Sequence, residues 1–156
     1  MKTETLMTAL GEHLFDEQLQ LTNIADYGLR WEDLVSGAVP LPGHGAFFEL
    51  KFEGKVSGPR LNGHLVGVDY MEVRADGAFN LHIHGTITTD DGARIAVAED
   101  GVLYRPTDDS GIAQFRLTMR FGTGSPKYAW LNQAHVWCIG QANWNTGEVT
   151  AKGYGS

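Results

Sequence analysis

The chain has 156 residues, with 12 Lys and Arg against 19 Asp and Glu, so its formal charge is −7 with histidine neutral. That length fits one folded core, and the acidic balance excludes a grip on nucleic-acid phosphates, which requires a basic patch. A single cysteine, Cys138, excludes an internal disulfide and a Cys-rich metal site. No apolar run approaches the ~20 residues of a membrane span. Met1 to Leu6 carries Glu4 and lacks a long apolar core, so no signal peptide is expected. The expected compartment is the cytoplasm, and the expected partner a small molecule or another protein.

The first forty residues predict an N-terminal helical arm, with the remaining domain running over 41–156. Leu6, Met7, Leu10 and Leu14 fall near helical spacing, interrupted by Gly11. A second helix is predicted from Asp26, a suitable N-cap, to Val35, with Gly37 just past its end. Its apolar residues Tyr27, Trp31, Leu34 and Val35 share one helical face.

After Pro40-Leu41-Pro42-Gly43 the apolar period changes to two. Phe48, Leu50 and Phe52 alternate with charged residues, and a further extended run covers Val66 to Val73. Ala75-Asp76-Gly77 is a turn signal, as is Asp90-Asp91-Gly92. Between them Leu81, Ile83 and Ile87 alternate with polar residues. Ile95 and Val97 lead to Glu99-Asp100-Gly101, read as another turn. Phe115, Leu117, Met119 and Phe121 alternate again, and strands are predicted from Trp130 to Ile139 and from Glu148 to Tyr154. Seven or eight short strands among 20 glycines and only 5 prolines predict a mainly β protein, a sandwich or a closed antiparallel barrel. Closure is favoured because it removes exposed edges.

The clearest polar constellation is His82-Ile83-His84, whose imidazoles share one strand face. Such a pair serves as an acid–base couple or as two arms of a metal site. The alternative is a solvated polar face, since Asn80, Thr86 and Thr88 lie on it too. A metal reading lacks the carboxylate expected a few residues on. Asp69-Tyr70 precedes the pair on the adjacent strand, where Asp69 can orient an imidazole or act as a base and Tyr70 can donate a proton. Alternatively, Asp69 caps backbone groups beside Gly67. Tyr128, Trp130 and Asn132 share a face of the expected strand and suit a flat organic ligand, unless they merely close the core. Arg120, with Arg116, can bind a carboxylate. Phosphate-loop and nucleophile-elbow motifs are absent.

Taken together, Gly58-Pro59-Arg60-Leu61-Asn62-Gly63, Val68-Asp69-Tyr70, Arg74-Ala75-Asp76-Gly77, Leu81 to Gly92 and Phe115 to Gly140 resemble the domain-of-unknown-function family 3237. The resemblance covers about residues 44–140. It implies a small antiparallel barrel similar in build to allene oxide cyclase and dirigent proteins, in which isomerases, cyclases and lyases enclose a hydrophobic substrate. Against the family pattern, Asp69 is kept, Tyr70 replaces a Trp, and Val68 stands where Gly is common. His82 and His84 replace an Asp and an Arg, and Gly122 replaces a Glu.

The resulting expectation is a cofactor-free, metal-free lyase or isomerase acting on a hydrophobic, ring-containing small molecule by dehydration, double-bond shift or cyclisation. His82 and His84 would move the proton, Asp69 and Tyr70 would assist, and Tyr128, Trp130, Asn132 and Arg120 would hold the substrate. A non-catalytic or dirigent-like binding barrel is the alternative, and a homo-oligomer is expected.

Overall fold

The computed structural model describes residues 10–156, so Leu6 and Met7 of the expected first helix lie outside the described residues. Eight antiparallel strands close into an up-and-down barrel in sequence order. They are β1 (Glu12–Asp26), β2 (Ala46–Ser57), β3 (Gly63–Val73), β4 (Phe79–Thr89), β5 (Arg94–Tyr104), β6 (Ile112–Gly122), β7 (Val136–Asn143) and β8 (Glu148–Gly155). The mainly β, closed-barrel expectation therefore holds, with eight strands.

The N-terminal region departs from the helical-arm reading. β1 pairs with β2 along one edge and β8 along the other, so it is the strand that closes the barrel. Its alternating inward residues Phe15, Glu17, Leu19 and Leu21 explain why this stretch extends. Only one short helix, α1 (Trp31–Ser36), follows it, ended by Gly37 in the left-handed conformation at φ 76°. Asp26 does not cap this helix; its carboxylate accepts a hydrogen bond from the Gly28 N–H at the end of β1.

Inward positions fill the barrel unevenly along its axis. At the end where β1 begins, Phe15, Leu61, Leu65, Ile87, Ile95 and Leu131 are all wholly buried and pack a solid plug. Gly153 makes room for one of its members: a Cβ there would lie 2.3 Å from Phe15 Cζ. Outside the plug, Pro126–Gln133 forms a short 3₁₀ helix across the barrel end, where a strand from Trp130 is expected. Ser125 enters it in extended conformation ahead of Pro126, whose fixed φ suits the first helical position.

At the opposite end, α1 leans over the opening. Trp31 meets Phe48 and Trp144 edge to face, at 5.2 Å between centroids in each case. Between this aromatic rim and the plug the barrel is hollow. Among the described residues, no helix is long and apolar enough to cross a membrane.

Candidate active site

The hollow is a cavity of about 90 Å³, far above the ~10–15 Å³ that a single enclosed water needs. Its wall is hydrocarbon and aromatic, with Leu19, Leu21, Leu50, Phe52, Leu81, Ile83, Phe115 and Leu117 on the barrel and Trp31 and Trp144 at the mouth. Three side chains break that pattern. Glu17 from β1, Asp69 from β3 and Glu99 from β5 all project inward and are only 4%, 7% and 3% exposed.

Strand parity places them there. In β3, Leu65, Gly67, Asp69, Met71 and Val73 face inward; in β5, Ile95, Val97, Glu99 and Leu103 alternate inward with outward partners. Asp69 pairs in register with Ile83 of β4, and Ile83 with Glu99 of β5, so the two acids stand on one transverse row with a single strand between them. Glu17 approaches Glu99 from across the barrel. Its Oε1 lies 3.8 Å from the Cys138 Sγ, which donates to it. Donor atoms of Glu17, Glu99 and Cys138 all fall within 4.8 Å of one another.

The electrostatics follow from this seclusion. Burial disfavours the charged form of Asp69 and pushes its pKa up to about 7, partly opposed by the His82 backbone N–H, which donates to Oδ1 at 3.0 Å. Burial likewise raises Glu17, while the Cys138 thiol counteracts part of that rise. Glu99 is held well above the carboxylate range, first by burial and then by the nearby charges of Glu17 and Asp69. One oxygen of each glutamate, Glu17 Oε2 and Glu99 Oε1, is buried without a hydrogen-bond partner among the described residues. Among the described residues, no Lys, Arg or His lines the cavity. Burial thus favours the protonated forms of three carboxyls set in an otherwise apolar wall, and groups displaced in this way suit acid–base chemistry.

The expected site is brought together only in part. Asp69 is on the cavity wall. His82 and His84 are on the outside of the barrel, because Leu81, Ile83 and Ile87 take the inward positions of β4. Their rings meet at 5.0 Å, and His82 Nδ1 contacts the Asp100 carboxylate at 2.7 Å, with both side chains more than half exposed. This corrects the expectation that paired imidazoles face an enclosed hollow; the solvated-face alternative describes them. Asp69 touches the His82 backbone, never its ring, which is close to the capping role weighed from sequence.

Tyr70 also points outward, 47% exposed, in a shallow groove with Tyr27 and Phe47. Arg120 is exposed on the outer face of β6, opposite Ala98. Tyr128, Trp130 and Asn132 sit at the plugged end, away from the cavity, because their segment coils as a 3₁₀ helix and the alternation of a strand is lost. The Tyr128 hydroxyl donates to Asp91 at 2.8 Å, and Trp130 lies under the Arg60 guanidinium at 3.8 Å. Asn132 accepts from the Thr123 N–H and donates to its carbonyl, each at 2.8 Å. These three lock the barrel end.

Glu17 and Glu99 were not foreseen. The signal for Glu17 was the alternation Phe15, Glu17, Leu19, Leu21; for Glu99 it was the parity of Ile95 and Val97, carried two residues further.

Residues 32–155 match a family described as "Protein of unknown function (DUF3237)". A UPF0311 protein of Clostridium acetobutylicum is 35% identical over 99 residues, 54% of this chain and 63% of its own length. The hydroalkoxylation enzyme phnH of Penicillium herquei is 32% identical over 85 residues, 54% of this chain and 50% of its own. The chain thus spans less than two thirds of either curated relative. Among solved structures, a protein with unknown function from Clostridium acetobutylicum superposes with a TM-score of 0.75 at 26% identity, covering 92% of this chain and 96% of that one.

Proposed function

The chain belongs to the DUF3237 family, and from that footing we propose that its barrel is the reaction chamber of a redox-neutral enzyme that moves protons on an apolar small molecule. The class of reaction is addition of a hydroxyl across a carbon–carbon double bond, closing a ring, or the reverse elimination. One observation carries the reading: carboxyls from β1, β3 and β5 converge in an otherwise apolar cavity with no basic partner among the described residues. A relative whose name describes hydroalkoxylation supports the reaction class.

The roles follow from environment. Glu99, kept protonated by burial and by its acidic neighbours, is the general acid and gives its proton to one alkene carbon. Asp69, whose carboxylate is favoured by the His82 N–H, is the general base. It takes the hydroxyl proton as that oxygen bonds to the other carbon. One C–H and one C–O bond form, while the O–H bond and the π bond break. Glu99 ends ionised and Asp69 protonated, and return of that proton, with Glu17 as a further exchange site, resets the pair. No electrons are gained or lost, so the step needs no cofactor. General acid–base help of this kind is worth roughly 10²–10⁴ in rate. The dry wall keeps bulk water from competing for the cationic carbon.

An ortho-allyl phenol in D₂O is a suitable probe. The expected result is a dihydrobenzofuran with deuterium on the carbon protonated by the enzyme. Glu99→Gln and Asp69→Asn are expected to lose at least about a hundredfold in rate, while His82→Gln and His84→Gln keep the wild-type rate. Loss in the histidine variants with retention in the carboxyl variants would overturn the assignment. A series of such alkenols that bind without conversion would leave a binding barrel.

A further inference from the structure

The cavity has an unusual charge balance. Among the described residues its wall carries three acids and no Lys, Arg or His. Glu99 Oε1 and Glu17 Oε2 are buried with no hydrogen-bond partner among the described residues, although the side chains that carry them are among the least exposed polar groups described. A buried acceptor left without a donor is costly. No other described residue supplies a donor to these two oxygens, and both belong to side chains on the cavity wall, where an occupant can supply one.

The rest of the wall narrows what that occupant is. Trp31 and Trp144 at the mouth and Phe52 and Phe115 deeper in present aromatic rings, and the negative faces of such rings attract cations. The aliphatic wall rewards hydrocarbon burial. A carboxylate or phosphate ligand would meet three acids and, among the described residues, no counter-charge, which disfavours it. We infer that the cavity is a receptor for a lipophilic organic ammonium ion, whose N–H groups donate to Glu17 and Glu99 and whose hydrocarbon body covers the aromatic wall. A divalent metal ion is a weaker fit. It would draw on Glu17, Glu99 and Cys138 but leave the apolar wall with nothing to cover it.

The inference goes beyond the catalytic proposal and stands on the cavity alone. An amine binds whether or not the barrel turns anything over, and turnover of a neutral alkenol does not require amine binding, so the two fail separately.

Calorimetric titration with three ligands of one size tests it: benzylamine, benzyl alcohol and benzoate, all in one buffer at about pH 8. Benzylamine is expected to bind at least about tenfold more tightly than benzyl alcohol, and benzoate not at all. Glu99→Gln is expected to abolish the preference of amine over alcohol, with Glu17→Gln as the second variant where the first does not fold by circular dichroism. His82→Gln, on the outer face, is expected to preserve it. Equal affinity for amine and alcohol would overturn the inference. So would a preference that survives in both glutamine variants, because it would then reflect the acidic surface. Zinc is titrated separately. Stoichiometric zinc binding in a protein indifferent to benzylamine would also overturn it, in favour of a metal site.

Discussion

Replacing Asp69 with asparagine is expected to stabilise the protein, and to do so more as the pH rises. The side chain is 7% exposed, and its carboxyl is raised from 3.8 to about 7 by burial. At ~1.4 kcal/mol per pH unit, holding the ionised form inside the barrel costs about 4 kcal/mol of stability. The sign follows from which state binds more protons. Below about pH 4 both folded and unfolded Asp69 are protonated and the penalty is nil. Between there and about 7 only the folded form keeps its proton, so stability falls steadily as pH rises. Above about 7 both are ionised and the full penalty applies. Asparagine cannot ionise, and its side-chain oxygen can still accept the His82 N–H. Urea denaturation of wild type and Asp69→Asn at about pH 5 and pH 8 is the assay. The stability gained by the variant should grow by about 2–3 kcal/mol between the two conditions. Curves that run parallel, with the same difference at both pH values, would refute the account of a buried, proton-holding Asp69.

Other consequences are open to simple measurement. Leu131→Ala removes a wholly buried side chain from the plug and should cost about 2–5 kcal/mol, read by denaturant unfolding. Cys138 is buried, and burial together with the charges of Glu17 and Glu99 pushes its thiol pKa up. Iodoacetamide should therefore leave it unmodified in the native protein and label it once urea has unfolded the barrel. Trp144→Ala removes one wall of the aromatic rim. It should weaken binding of an aromatic probe by about tenfold while leaving the pH dependence of stability as in wild type, because the three acids are untouched.

Much of the barrel was legible because its strands advertise themselves. Phe48-Leu50-Phe52 and Phe115-Leu117-Met119-Phe121 alternate without interruption, and the turns at Gly77 and Gly92 both carry positive φ, at 89° and 93°, as Asp-Gly signals lead one to expect. The errors came from three identifiable places. Around the start of β1 the leucines Leu10 and Leu14 fit a helical spacing, whereas Phe15, Leu19 and Leu21 fit a strand; ladders on both sides decide between them, and those are tertiary. In β5, Asp100-Gly101 has the chemistry of a turn but lies mid-strand. Gly101 is required there because a Cβ would lie 1.9 Å from the Arg116 carbonyl of β6. Reading a turn hid Glu99, the inward residue just before it. For Tyr128, Trp130 and Asn132 the 3₁₀ coil replaced a period of two, and Pro126 was the cue.

The histidines illustrate the rule that decides the site. His82 and His84 have the more familiar chemistry, yet the same sequence puts Leu81, Ile83 and Ile87 at the opposite parity, and a barrel takes its apolar residues inward. Once β4 is aligned by those three, the imidazoles must face out. The same test applied to β1, β3 and β5 places Glu17, Asp69 and Glu99 inward. What no local pattern reveals is that these three meet, since that depends on the register of three separated strands.

The central claim is that burial displaces these interior carboxyls above the ordinary carboxylate range, and carbon-detected NMR titration of the Asp and Glu side chains measures it residue by residue. Asp69 should titrate at about 7, with Glu17 and Glu99 also displaced upward from the exposed acids and all three returning to ordinary behaviour in urea. Three interior resonances that titrate together with the surface carboxylates would contradict the account.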